Sequence, residues 1–166
     1  MPVASTDIKM YLSGGAGNTN PNLSLGGIIS TTQFGTNIFD NVSSSEALAG
    51  RTEYRGVYVK NTSATDTLYA AVIYIETNTP ATGTAVQIAV ADEGVSATME
   101  TVATETTAPT GPVFDDAEDE ANALSLGDLA PGAYYGVWIK RVVTAAASAY
   151  ANDTFTLRVK GDTASP

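Results

Sequence analysis

The chain has 166 residues, a formal net charge of −10 and a pI ≈ 4.1, with neither Cys nor His. These facts exclude disulfides, thiolate chemistry, a Ser-His-Asp triad and His-ligated metals. The acidity argues against general binding to nucleic-acid phosphates and to anionic membranes, so neither is expected as a partner.

Hydrophobic residues make up 43% of the chain and charged residues 16%, below the ~25% of ordinary soluble domains. Thr, Ser, Asn and Gly stand in for the missing charges, and they suit strands and turns better than exposed helices. One domain with a sizeable core is expected. The N-terminus, MPVASTDIKMYLSGG, has no apolar h-region, and no run approaches the ~18 apolar residues of a membrane span.

Along the chain, residues 1–35 hold a short strand-like piece, Ile8 to Leu12, then the turn-rich SGGAGNTNPN and a second candidate strand, Leu25 to Ser30. The segment reads either as an N-terminal arm or as an edge hairpin of the main sheet. Residues 36–166 read as the β-sandwich domain. SSSEALAG is the one credible helical turn, capped by Ser44 or Ser45, running through Ala49 and ended by Gly50.

From Tyr54 onward strands dominate. Val57 and Val59 alternate with Tyr58 and Lys60. TLYAAVIYIET places Tyr69, Ala71, Ile73 and Ile75 on one face and Leu68, Val72 and Tyr74 on the other, which marks a central or interface strand. Val86, Ile88 and Val90 alternate with Gln87, and Phe155, Leu157 and Val159 with Thr154, Thr156, Arg158 and Lys160. Between them, Val95 to Pro112 is Thr- and Ala-rich and reads as an extended connection.

The best strand follows LGDLAPG. Tyr135, Val137, Ile139 and Arg141 share one face, and Tyr134, Trp138 and Lys140 the other. L-x-x-L-x-P-G-x-Y, Leu126 to Tyr134, is how an immunoglobulin-like sandwich often turns its E–F corner, and jelly rolls turn similar ones. Lys140 and Arg141 lie at the distal end of the strand, where their charged heads are expected to reach water. The fold class is therefore all-β: a single-domain antiparallel sandwich, immunoglobulin-like or jelly-roll, with an extended N-terminal segment.

No catalytic, cofactor-binding or metal-ligating residue is assigned. Asp115, Asp116, Glu118, Asp119 and Glu120 offer hard oxygen ligands without Ca²⁺-loop spacing, so a solvated acidic loop is expected. A glycosidase would need two acids fixed across a cleft. Lys9, Lys60, Lys140 and Lys160 lie on strands without an S-x-x-K pattern. The Gly-rich SGGAGN and SLGG precede no helix and are loops rather than phosphate cradles. Eight Tyr and one Trp suit either a sugar-binding face or a sandwich core. Sequons at Asn22, Asn41, Asn61 and Asn152 are expected by chance in so Asn- and Thr-rich a chain.

Taken together, DIKMYLSGGAGNTNPNLSLGG, NIFDNVSSSEALAGRTEYRGVYVKNT, TTAPTGPVF, LSLGDLAPGAYYGVWIKR and AYANDTFTLRVKGDT resemble a family of small virion structural proteins of tailed bacteriophages. The resemblance implies a non-enzymatic protein located in the virion and assembled in the bacterial cytoplasm. It implies a capsid cement or decoration role, with the phage major capsid protein as partner and a homo-oligomer, dimer or trimer, at local symmetry axes. Residues 1–35 would then make the bridging contact. The alternative is a neck, tail or fibre module with a carbohydrate- or receptor-binding role.

Overall fold

The computed structural model describes residues 3–164. The ten strands are β1 (Ile8–Ser13), β2 (Gly26–Gly27), β3 (Ile29–Gln33), β4 (Arg51–Asn61), β5 (Leu68–Thr77), β6 (Thr84–Val90), β7 (Met99–Thr101), β8 (Leu124–Leu129), β9 (Tyr134–Val143) and β10 (Thr156–Asp162). One short helix, α1 (Ser44–Ala49), precedes β4. With 42% strand and 9% helix the molecule is an antiparallel all-β sandwich. No helix among the described residues is long and apolar enough to cross a membrane.

A five-stranded sheet, β3-β1-β4-β9-β6, faces a three-stranded sheet, β10-β5-β8. The alternation read from the sequence decides what lies between them. Val57, Val59, Val137, Ile139, Val86 and Ile88 from the first sheet pack on Leu68, Ile73, Ile75, Leu126 and Leu129 from the second, all buried. Burying each such side chain contributes roughly 1.5–3 kcal/mol. β5 is the central strand of its sheet, as its two apolar faces predict. The Leu126–Tyr134 corner carries the chain from β8 in one sheet to β9 in the other, and Leu126 and Leu129 plug the core on the way.

Two features bear on the sequence reading. First, of the two readings of the N-terminal segment, residues 8–33 take the form of the edge hairpin and not of a free arm: β1 lies inside the sheet, Ile8 to Leu12 pairing with Asn61 to Val57, and β3 forms the edge beside it. The few apolar residues of β1 suffice because β4 supplies the other half of the packing. Second, the five-stranded sheet is buried on both faces. Its outer face (Tyr58, Trp138, Ala89) is covered by a small third layer, β2 paired with β7, through Met99, Val102 and Leu25.

That third layer approaches closely only because glycines leave room. A Cβ on Gly136 would stand 2.4 Å from Met99 Cγ, and one on Gly26, at φ +86°, 1.8 Å from the Glu100 carbonyl oxygen. Tyr58 ties the layer down: its hydroxyl donates to the Gly27 carbonyl at 2.6 Å and accepts from the Met99 N–H at 2.8 Å. Burial, the dominant effect, raises the Tyr58 pKa, so the phenol stays neutral in this role.

The outer edge of β6 is closed by side chain and loop rather than by a strand. Asn78 donates to the Val86 carbonyl at 2.9 Å and accepts from its N–H at 3.0 Å. The Asp115 backbone exchanges both hydrogen bonds with Ile88. Such blocking removes a template for edge-to-edge association.

Candidate functional site

Towards the Arg51 end of β4, its inner face and that of β9 turn from apolar to ionic. Glu53 and Arg55 are in phase with Val57 and Val59, and Arg141 with Val137 and Ile139. All three charged side chains are buried, with residue exposures of 1%, 0% and 9%. Glu53 and Arg141 are directly opposed in the β4–β9 ladder.

Charge cancellation holds this cluster in the interior. Arg141 donates from Nε to Glu53 Oε2 at 2.8 Å, makes a second bond to the same carboxylate through Nη2, and donates from Nη1 to the Asp40 carbonyl at 2.7 Å. Arg51 donates from Nε to Glu53 Oε1 at 2.8 Å and also pairs with Glu46 and Glu105. Arg55 Nη2 donates to Glu105 Oε2 at 2.6 Å and to Asn22 Oδ1 at 3.2 Å. The Phe39 ring lies against two guanidiniums, 4.6 Å from Arg141 and 5.2 Å from Arg55. Desolvated cation–π contacts of this kind contribute ~2 kcal/mol.

The ionisation follows. Burial alone would push Glu105 up, but the bonds to and charges of Arg55 and Arg51 outweigh it and hold the carboxyl below its ordinary value. Burial opposes the charge on Arg51, and the bonds to Glu105 and Glu53 overcome it and raise its pKa. Glu46 is lowered by the Ser43 N–H, then by the Ser43 hydroxyl, in the capping box that starts α1. The cap is thus Ser43, one residue before the two expected from the sequence, while Gly50 ends the helix as expected.

Asp40, Glu53 and Glu105 each bring a carboxylate oxygen within 4.8 Å of the others, a spacing that would suit a metal ion. Their charge is already met by the guanidiniums of Arg51, Arg55 and Arg141. A divalent cation there would have to displace these arginines, so the cluster is read as structural.

What the cluster organises is a cleft of ≈ 1300 Å³ beside it. One rim is the loop from Phe34 to Ser43 with α1, held through the Arg141–Asp40 bonds. The other is the loop between β9 and β10, held where the Ala147 and Ala146 N–H groups donate to the Ala47 and Leu48 carbonyls at 3.1 and 3.3 Å. Phe39 and Phe155 meet in the wall, ring centroids 6.5 Å apart.

Of the charged residues and sequon asparagines singled out from the sequence, Lys9, Asn41, Arg141 and Asn152 line the cleft, Asn22 joins the cluster, and the others fall elsewhere. Arg141 is not at a wet strand end but buried in the ionic cluster, because α1 and the Phe39 loop close over it. Lys140, on the other face, is half-buried: it donates to Gln87 Oε1 at 2.7 Å and lies over the Phe114 ring. Asp115 to Glu120 are exposed apart from Ala117. Their acids disperse: Asp116 accepts from Gln87, Asp119 caps the turn at Asn122, and Glu120 pairs with Lys160. Asn61 is buried, its amide donating to the Asp66 and Leu129 carbonyls, both at 2.8 Å. Asn22 serves Arg55, and Asn41 and Asn152 stand on the cleft.

Glu53, Arg55 and Glu105 were not singled out. The signal for the first two was present: opposite charges on the core-facing phase of a strand otherwise filled with Val. Comparison with family models, curated proteins and solved structures finds no match.

Proposed function

We propose that this chain is a non-enzymatic virion structural protein of a tailed bacteriophage, a cement or decoration protein bound to the outside of the capsid through the major capsid protein. The observation that carries the reading is the ionic cluster. The most deeply buried charged groups, Glu53, Arg55 and Arg141, are tied to one another's neighbours and to loop backbone. They brace the sandwich instead of presenting an acid, base or nucleophile. The resemblance of five sequence segments to virion proteins supplies the location, and the net charge of −10 suits a protein kept away from packaged DNA.

Because β1 is locked inside the sheet, the contact with the shell is assigned to the outer third layer rather than to an N-terminal arm. Leu23, Ile28, Val95 and Val113 are exposed by 46–82%, and they lie on or beside the segments that form that layer. Apolar groups displayed this way suit a modest interface repeated around a symmetry axis, where linked copies bind with avidity.

The test is quantitative mass spectrometry of purified virions, with the protein added back to expanded shells that lack it. Hundreds of copies per particle, and loss of binding by Ile28→Asp with Val113→Asp, are expected. A handful of copies confined to tails, or full occupancy by the double variant, would overturn the reading.

A further inference from the structure

We infer that the cleft beside the ionic cluster is a binding site for a neutral oligosaccharide. The first ground is charge. In a chain of net charge −10 the charged side chains lining the cleft are Lys9, Asp40, Arg141 and Asp153, which sum to zero. Arg141 is moreover spent on Glu53 and Asp40. Among the described residues an anionic ligand would find one free cation there, Lys9, and a cationic one would be drawn to the acidic surface elsewhere. A ligand without charge is the one the cleft does not penalise.

The second ground is hydrogen-bonding equipment. Asn37, Asn41 and Asn152 line the cleft. Among the described residues none of their amides, nor the Tyr150 hydroxyl, has a protein partner. Each amide offers two donor hydrogens and an acceptor oxygen. A sugar hydroxyl is itself both donor and acceptor, so amides on both rims of the cleft can serve its hydroxyls. Asn37 and Asn152 sit at φ +58° and +60°, on loops anchored at their bases rather than paired along their length.

The third ground is shape. Tyr150 stands on the cleft 55% exposed, an amphipathic ring free to stack on the C–H face of a pyranose while its hydroxyl stays wet. Phe39 and Phe155 supply an apolar stretch of the same cleft wall. At ≈ 1300 Å³ the cleft exceeds the roughly 300–1,000 Å³ of ordinary small-molecule sites, which fits several linked sugar units better than one. An extended peptide fits less well. The cleft is walled mainly by loops and its free groups are side-chain amides, whereas peptide addition uses a row of strand backbone groups.

The site lies on the inner side of the five-stranded sheet, and the surface assigned to the capsid contact on the outer side. Sugar binding is therefore measured on the isolated protein and stands or falls apart from shell attachment. The experiment is an array of neutral glucose, galactose, mannose and N-acetylglucosamine oligosaccharides of four to six units, followed by isothermal titration calorimetry on those retained. At least one should bind saturably, with Tyr150→Ala and Asn152→Ala each weakening it tenfold or more. Tyr150→Ala should keep the wild-type melting temperature, since among the described residues its hydroxyl has no protein partner. Asn152→Gly, which suits φ +60°, should weaken binding as Asn152→Ala does without lowering the melting temperature, and Val113→Ala should leave binding unchanged. Retention of charged glycans alone, retention of none, or binding indifferent to Tyr150→Ala would overturn the inference.

Discussion

Replacing Glu53 by Gln keeps the shape of the side chain and removes one negative charge from between two guanidiniums. In the native protein Glu53 is 1% exposed and receives Arg51 on one oxygen and Arg141 on the other. Breaking a buried pair costs roughly 3–5 kcal/mol because the remaining charge is left desolvated. Arg51 keeps Glu46 and Glu105, and Arg141 keeps Asp40, so the lower figure applies, ~3 kcal/mol. At about 2 kcal/mol/M in urea, the unfolding midpoint should fall by ~1.5 M. At ~2–4 °C per kcal/mol for a chain of this size, the melting temperature should fall by ~6–12 °C. The double variant Glu53→Leu with Arg141→Met removes both charges and keeps a long apolar side chain against Phe39. It should recover to within ~1.5 kcal/mol of wild type, a coupling that a double-mutant cycle reads directly. If Glu53→Gln changes the midpoint by less than ~0.3 M, or if the double variant is as unstable as the sum of the singles, the cluster does not brace the fold as argued.

Glu105 gives the cluster an acid limit. Its pKa is lowered in the folded state from an ordinary 4.5, so its contribution is full above that value and is lost as pH falls through the folded pKa. Thermal scans from pH 6 downward should show stability dropping below about 4.5, and Glu105→Gln should flatten that drop while lowering stability at pH 6. Gly26→Ala places a Cβ 1.8 Å from the Glu100 carbonyl oxygen at φ +86°. With no flexible side chain to yield, it should cost about 3 kcal/mol or more and expose Trp138, seen as a red-shifted fluorescence; unchanged emission would mean the third layer is dispensable. Asn78→Ala unblocks the β6 edge at Val86, and its expected signature is ~1–2 kcal/mol of lost stability together with concentration-dependent association by light scattering.

The parts of the fold legible beforehand are those written in local alternation. Val57 and Val59, Val137 and Ile139, and Leu157 and Val159 declare which way each strand faces, and the Leu126–Tyr134 corner declares a change of sheet. Strand order is not local, which is why residues 1–35 could be read either as an arm or as an edge hairpin of the main sheet. The third layer left almost no periodic trace, because β2 is two glycines and β7 three residues long. It shows itself in three dimensions, through the β2–β7 pairing, the Tyr58 hydroxyl bonds and the close contacts of Gly26 and Gly136. The ionic cluster was half visible: Arg141 was correctly placed on the face of Val137 and Ile139, and the inference that it must escape to water failed because Glu53 stands opposite it. The cleft was not legible, since its rims are loops brought together by Arg141 and by backbone bonds to α1 across about a hundred residues of chain.

That same pairing of Glu53 with Arg141, 88 residues apart, sets the schedule on which the chain matures at the ribosome. β4 leaves the exit tunnel early and finds β1 already waiting, but its other neighbour, β9, is not yet made. At roughly 5–20 residues per second, synthesis of the intervening chain takes ~4–18 s. Through that interval β4 lacks its neighbour on one side, β6 has no strand to pair with, and Glu53 lacks the Arg141 that allows it to be dry. A nascent chain halted before residue 134 should therefore remain protease-sensitive and bound by chaperones. Release to a resistant state should come in a single late step, when β9 arrives and the sheet closes on both its faces at once.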